Sequence, residues 1–289
     1  MKIEYQDIQV KLGGKDILTG TSLCSHENKI VGIVGANGCG KSTLIKTTFG
    51  IVPYHGGQIL IDGHPIRNYS PRQLASMIGY VGQDTACPFD FSVRDVVSMG
   101  LYARRSGSRQ KKKEIVNAAL KELGIERFAD RSIQRLSGGE RKMVFIARAV
   151  AQGADMFILD EPTNHLDISH QLFVMDYLKQ LGKTTLMVIH DLRLATHYCD
   201  YLYVMDGGVT FAEGPPLEVL SCDNIRHVFG VHGYAGRSSQ GVLDFALFEC
   251  GELGCISDLT EEAHGKQATA DHIHDHEGHQ HEQSPTEAS

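Results

Sequence analysis

The segment GANGCGKST at 35–43 constrains the fold more than any other stretch of the chain. It follows the strand-like run KIVGIV and precedes a helix-like run, so a glycine-rich loop stands between a strand and a helix. Glycines let the backbone curl until successive N–H groups point inward, and the helix N-terminus adds its positive end. Such a loop binds phosphate groups. The alternative, a glycine-rich turn with a chance Lys-Ser pair, fits this context poorly.

Within this loop we assign nucleotide contacts to eight residues. They are Gly35, Asn37, Gly38, Cys39, Gly40, Lys41, Ser42 and Thr43. Lys41 is expected to reach the β and γ phosphates, and Ser42 is expected to ligate Mg²⁺. We interpret Cys39 as a small residue packed against the loop, with redox regulation as the alternative.

Short runs rich in Val and Ile alternate with helical patterns through most of the first 220 residues, as in MFILD, TTLMVIH and YLYVMD. This alternation predicts an α/β fold with buried strands. Helical patterns replace the strand-like runs over about 88–152, which predicts an inserted helical subdomain. The basic run RQKKKE at 109–114 is interpreted as the solvated start of a helix rather than as a binding site.

The charge of the chain is distributed unevenly. The formal net charge is -7, but residues 231–289 hold 2 Lys or Arg against 11 Asp or Glu, so the remainder is nearly neutral. Residues 1–230 are nearly neutral and show no basic stripe, which argues against nucleic acid as a partner. Seven scattered cysteines fit a reducing cytoplasm. A charged start and the lack of about 18 consecutive apolar residues predict a soluble chain without a signal peptide.

Two adjacent carboxylates, Asp160 and Glu161, close the apolar run MFIL. In open α/β sheets, ligands bind at the carboxyl ends of the strands. We expect Asp160 to hold Mg²⁺ through a water, and Glu161 to polarise the water that attacks a γ-phosphate. A strand that ends in Asp-Glu is weak evidence alone, and its value depends on the loop at 35–43.

A second anion-binding element, LSGGE at 136–140, opens another helix-like run. Ser137 and the N–H groups of Gly138 and Gly139 would stand at the start of that helix. One chain needs only one phosphate cradle. The second one therefore predicts a homodimer, in which each copy closes on the nucleotide that the other holds.

In this order the motifs resemble an ABC-type ATPase over roughly residues 1–230. Gln83 in GYVGQD and His190 in VIHD extend the match. The resemblance implies a P-loop NTPase fold, with a RecA-like core, an N-terminal antiparallel β subdomain and an inserted α-helical subdomain. It also implies ATP and Mg²⁺ as cofactors.

The resemblance assigns further roles by position. Gln83 resembles the glutamine that touches the metal and the attacking water and couples to the membrane partner. His190 resembles the histidine that senses the γ-phosphate, although a lone histidine at a strand end is more commonly structural. Residues 164–167 resemble the loop that crosses the dimer, with Asp167 among the nucleotide contacts.

Two departures from the family pattern stand out. Related ATPases stack an aromatic residue on adenine, whereas the matching position here is Leu12, and the nearest preceding aromatic residue is Tyr5. Apolar contact would then replace base stacking. The LSGGE element at 136–140, which we call the signature motif, also ends in Glu140 instead of the commoner glutamine. We expect this change to be tolerated, because the glycines and Ser137 make the phosphate contacts.

Two short stretches of sequence indicate the branch of the family. GCGKST and the stretch LDISHQ at 166–171 resemble the importer ATPases for iron siderophores, haem and cobalamin. Such importers imply integral-membrane permease subunits, an extracytoplasmic substrate-binding protein and a peripheral location on the cytoplasmic face of the cell membrane. The alternatives are an importer of free Zn, Ni, Co or Mn ions and a soluble ABC ATPase of iron–sulfur assembly.

We divide the chain into an ATPase domain at 1–222, a short helix and β-hairpin at 223–250, and an acidic, His-rich tail at 251–289 that we expect to be disordered. Five tail histidines lie among carboxylates: His272, His274, His276, His279 and His281. This composition suits Zn²⁺, Ni²⁺ or Co²⁺, with a merely solvating tail as the alternative. Cys250 and Cys255 lack a second pair and are expected to be packing residues.

Overall fold

A computed structural model of the chain describes residues 1–85, 87–103, 107–237, 241 and 243–248. Its largest sheet has six strands, in the spatial order β10 (Val209–Gly214), β9 (Tyr201–Asp206), β3 (Ile30–Gly35), β8 (Thr184–Val188), β7 (Met156–Asp160) and β6 (Ile78–Val81). The strands from β9 to β6 run parallel, and β10 is an antiparallel edge. Strands β3, β7 and β8 are buried along their whole length, which is why apolar residues dominate their sequences.

A second, antiparallel sheet lies over the first. Its order is β2 (Lys15–Cys24), β1 (Ile3–Leu12), β4 (Gly56–Ile61) and β5 (His64–Pro65). Alternating residues of β1 and β4, such as Tyr5 and Ile59, share one apolar core with Ile33 of β3 and Ile158 of β7. This shared core fixes the loop after β3 against the second sheet.

Helices accompany the strands of the large sheet along the chain. Helix α1 (Lys41–Thr47) follows β3, α2 (Pro71–Met77) precedes β6, α6 (Ile168–Leu181) connects β7 to β8, α7 (Leu192–Tyr198) connects β8 to β9, and α8 (Pro216–Val219) follows β10. Local sequence sets their ends: Ser70 forms a capping box at the start of α2, and Gly182 ends α6 in a left-handed conformation.

Three further helices form the inserted helical part, α3 (Val93–Met99), α4 (Arg109–Glu122) and α5 (Gly138–Gln152). Helix α5 packs against both α3 and α4 and continues to β6 of the large sheet. There Arg148 donates to the carbonyl of Tyr80 at 3.2 Å, and Gln152 donates to that of Ile78 at 2.8 Å. Because α5 belongs to both parts, it joins the signature motif to the sheet.

The described chain ends with α9 (Cys222–Phe229) and the strands β11 (His232–Arg237) and β12 (Leu243–Phe248), which form a two-stranded sheet. The basic run at 109–114 begins α4 and is largely exposed. None of the helices in the described residues is both long and apolar enough to cross a membrane.

Candidate functional site

The loop between β3 and α1 depends on glycines with positive φ. Gly35, Gly38 and Gly40 have φ values of 150°, 82° and 104°. A Cβ atom on Gly35 would lie 2.1 Å from the carbonyl oxygen of Met205, and one on Gly40 would lie 2.4 Å from Cδ2 of Leu18. Neighbouring strands therefore exclude a side chain at Gly35 and Gly40, in addition to the backbone requirement.

Lys41, the first residue of α1, turns its ammonium group into this loop. Its Nζ donates to the carbonyl oxygens of Gly35 at 2.8 Å and Ala36 at 2.9 Å. The Cys39 side chain is buried beside it. The loop thus combines a buried cation with a helix start, the arrangement that binds phosphate groups.

Asp160 ends β7 next to the loop. Ser42 Oγ donates to its Oδ1 at 2.8 Å, whereas the buried Oδ2 has no hydrogen-bond partner among the described residues. Burial raises the pKa of this carboxyl group, against the effects of the Ser42 bond and the charge of Lys46. An unpaired carboxylate oxygen beside a serine hydroxyl is a set of oxygen ligands that suits Mg²⁺. These residues therefore fit the cation.

The carboxylate of Glu161 contacts three other side chains. His190 Nε2 lies 2.5 Å from Oε1, and Oε2 accepts hydrogen bonds from Gln83 at 3.1 Å and Asn164 at 2.9 Å. The structure thus brings the predicted residues Gln83 and His190 to one carboxylate. Glu161 itself is buried and has a φ of 51°, a conformation that costs roughly 1–3 kcal/mol in a residue other than glycine.

Lys142 of α5 is a functional candidate that the sequence analysis missed. It is 2% exposed, and its Nζ donates to the carbonyl oxygens of Gly82 at 3.2 Å and Gln83 at 3.3 Å. Burial lowers the pKa of its ammonium group, and the charges of Asp160 and Glu161 oppose that change. The only signal in the sequence is its position inside an apolar helical run. Lys142 ties the Gln83 loop to the helix that begins with the signature motif.

Replacing Lys142 with methionine is expected to lower the turnover number for ATP about tenfold or more, since losing one bond from a charged donor costs about 1.5–3 kcal/mol. The KM for ATP should change little because Lys142 does not touch the loop at 35–43. Lys142→Arg keeps a donor and should restore most of the rate. Steady-state kinetics of both variants tests this, and equal losses in the two would contradict it.

Ser137 caps α5 in a reciprocal arrangement with Glu140. Its Oγ accepts the Glu140 N–H at 3.2 Å, while the Glu140 carboxylate accepts the N–H and hydroxyl of Ser137 at 2.8 and 2.9 Å. The bond from the Ser137 backbone is the main reason why the pKa of Glu140 is lowered. The departure at Glu140 thus supplies a helix cap, next to the exposed Gly138 and the half-buried Gly139.

Asp167 caps α6 and lines a cavity of 470 Å³ together with Ser137. Its carboxylate accepts the backbone N–H of His170 at 2.9 Å, the main contribution that lowers the pKa of Asp167 to about 2. A Cβ atom on Gly139 would lie 3.1 Å from the carbonyl oxygen of His165, so the signature motif and the loop before α6 pack closely.

The two candidates for adenine contact differ in exposure. Tyr5 is buried between the sheets, and its hydroxyl hydrogen-bonds Thr48 at 2.5 Å, so its ring is not available to a base. Leu12 ends β1 and is 42% exposed. At the position of Leu12 the chain therefore exposes an aliphatic side chain and not an aromatic one.

The predicted tail site falls outside the described residues. This applies to Cys250, Cys255 and the histidines His272, His274, His276, His279 and His281. Over the ranges that the structure describes, no group of three or more His, Cys, Asp or Glu side chains forms a metal-binding cluster. Metal binding by the tail stays a prediction.

The glycine loop, the carboxylates after β7 and the parallel sheet define a P-loop nucleoside triphosphatase. A family model described as ABC transporter matches residues 18–164. The iron(3+)-hydroxamate import ATP-binding protein FhuC of Bacillus subtilis is 35% identical over 236 residues, which cover 79% of this chain and 88% of FhuC. The chain therefore belongs to the ABC transporter family, as an ATP-binding and ATP-hydrolysing member.

Two further comparisons agree with this assignment. The hemin import ATP-binding protein HmuV of Pseudomonas fluorescens is 34% identical over 237 residues, 79% of this chain and 92% of HmuV. The structure of cbiO1 from Clostridium perfringens, part of the ABC transporter complex cbiONQ, matches with a TM-score of 0.67 and 31% identity over 78% of this chain and 92% of cbiO1. The predicted ABC ATPase class and P-loop NTPase fold are confirmed.

Proposed function

We propose that this chain drives an ABC importer of metal chelates, of the iron-siderophore, haem or cobalamin type. The observation that carries the proposal is the nature of its relatives. Two proteins matched over most of their length are named for the import of iron(3+)-hydroxamate and hemin. Both substrates are metal ions enclosed in organic ligands.

In this proposal the loop at 35–43 and Lys41 bind the phosphates of ATP. Ser42, Asp160 and Gln83 would hold Mg²⁺, which neutralises phosphate charge when bound. The unpaired Oδ2 of Asp160 supports this assignment, since it has no other partner among the described residues.

Glu161 polarises the water that attacks the γ-phosphate. His190 contacts one oxygen of its carboxylate, and Gln83 and Asn164 donate hydrogen bonds to the other. Together they hold the carboxylate in place. A base must lie within hydrogen-bond reach of the proton that it accepts, so these contacts set the direction of attack.

The site is completed by a second copy of the chain. Ser137 and Gly138 are exposed and Gly139 is half-buried, so the hydroxyl and the N–H groups at the start of α5 can meet the nucleotide of a partner. Ile168, which follows Asp167 as the first residue of α6, is 76% exposed and offers an apolar side chain to a partner surface.

The remaining partners are integral-membrane permease subunits and, through them, an extracytoplasmic substrate-binding protein. This places the chain on the cytoplasmic face of the membrane as a peripheral subunit. The exposed aromatic residues Phe89 and Tyr102 lie before and after α3, which follows the Gln83 loop, and suit contact with a permease. Movement of the helical part, about 88–152, would transmit closure of the nucleotide site.

The test is transport in proteoliposomes that contain the full chain, a permease and the cognate binding protein. We expect ATP-dependent uptake of a ferric hydroxamate, haem or cobalamin, abolished by Glu161→Gln in the same assembly. Uptake of free Zn²⁺, Ni²⁺, Co²⁺ or Mn²⁺ without a chelator would overturn the chelate assignment. ATP hydrolysis that no permease stimulates would instead favour a soluble ATPase.

A further inference from the structure

A groove of 930 Å³ on the helical part of the molecule carries an excess of positive charge. It lies between α3, α4 and the start of α2, and we call it the basic groove. Its cationic side chains are Arg72, Arg94, Arg109, Lys112 and Lys113. Among the described residues that line it, two are acidic, Asp95 and Asp130.

Both acidic residues already have partners. Asp95 accepts the hydroxyl of Ser92 at 2.6 Å in the cap of α3, and Asp130 accepts Nε of Arg94 at 3.2 Å. Arg94 also donates to Asn117 at 2.5 Å. The side chains of the other four cations, Arg72, Arg109, Lys112 and Lys113, make no hydrogen bond or ion pair with any described residue. The groove therefore has a net positive charge that folding does not use.

The placement of these charges also opposes helix stability. A helix N-terminus favours acidic side chains, yet the first turn of α4 contains none and begins with the run Arg-Gln-Lys-Lys-Lys. Cations at this end of the helix repel one another and the positive end of the helix dipole. The stability of the helix therefore does not account for this arrangement of cations.

The groove adjoins surfaces that lead to the nucleotide site. Tyr102, 79% exposed, lines both the basic groove and a neighbouring cavity of 330 Å³. That cavity shares Tyr80 and Arg148 with a third, of 780 Å³, which Gln83 lines. The basic groove thus continues from the Gln83 loop, the element assigned to contact with the permease.

We propose that the basic groove binds the headgroups of anionic phospholipids in the bilayer around the permease. The inference rests on the proposed function, which puts this face of the chain beside a membrane. Exposed cations on long side chains suit a layer of phosphate groups, and Tyr102 together with Leu101 and Val116 gives the groove an apolar floor and rim. Lipid contact would hold the helical part at the membrane surface.

The test is sedimentation of the purified full chain with vesicles of phosphatidylglycerol or of phosphatidylcholine. We expect binding to phosphatidylglycerol vesicles only, weakened by added salt. Lys112→Gln should reduce the affinity about fivefold, the contribution of one cation at an anionic membrane surface. Lys121→Gln is the matched control, because it removes the same charge from an exposed position of α4 outside the groove, and it should bind like the parent.

The proposal would be overturned by equal binding to both kinds of vesicle, by an equal loss of affinity in Lys121→Gln, or by competition from inorganic phosphate as effective as that from vesicles. Binding that appears only when the vesicles contain the permease would assign the groove to an acidic protein segment and also overturn it. ATPase activity should be the same in all three proteins. Lipid binding by a chain that transports no chelate would defeat the proposed function while leaving this inference intact.

Discussion

Glu161→Gln is expected to slow ATP hydrolysis by about 10²- to 10⁴-fold, the usual contribution of a general base. Glutamine keeps the size of the side chain and can still contact His190 and Gln83, but it does not accept a proton from water. The affinity for ATP should change little, because in the proposed function the phosphates bind to the loop at 35–43 and not to Glu161. With hydrolysis blocked, the variant should accumulate as an ATP-bound dimer, measured by analytical ultracentrifugation.

The control for this prediction is Glu126→Gln, which removes the same charge from an exposed position on a 3₁₀ turn. It should hydrolyse ATP at the parent rate and dissociate after turnover. If Glu161→Gln hydrolysed ATP within twofold of the parent, Glu161 would not be the base. If it stayed monomeric with saturating ATP, the proposed pairing of two chains would fail.

Gly35→Ala is expected to abolish nucleotide binding and to destabilise the fold by roughly 2–5 kcal/mol, the combined cost of overpacking and of a strained backbone. The new Cβ would lie 2.1 Å from the carbonyl oxygen of Met205, on a neighbouring strand that cannot move alone. Urea unfolding measures the stability, and titration with a fluorescent ATP analogue measures binding.

Gly38→Ala provides the matched comparison within the same loop. Gly38 also has a positive φ, 82°, but a Cβ there would meet no atom within 4 Å. Only backbone strain remains, so this variant should lose roughly 1–2 kcal/mol. Equal losses at Gly35 and Gly38 would show that the contact with Met205 does not determine the loop.

The order of motifs predicted much of this molecule because each motif is local. The loop at 35–43 and the run MFILDE at 156–161 carry their strand, turn and charge within a few residues, and the structure places them where those patterns indicate. Buried strands such as β3 were predictable for the same reason, since a strand covered on both faces consists mostly of apolar residues.

Contacts between distant segments could not be predicted in this way. A lysine is usually exposed, and the sequence does not show that α5 directs the Lys142 side chain at the Gln83 loop. The basic run at 109–114 gains a groove only because Arg72 and Arg94 approach it from other helices. The bond between Tyr5 and Thr48, which removes the nearest aromatic ring from solvent, likewise joins segments far apart in the sequence.

The left-handed backbone at Glu161 has an evolutionary consequence. Glycine at this position would relax the conformation and stabilise the folded chain, yet it would delete the carboxylate on which three side chains converge. Selection for robustness and selection for turnover therefore act in opposite directions on this single codon.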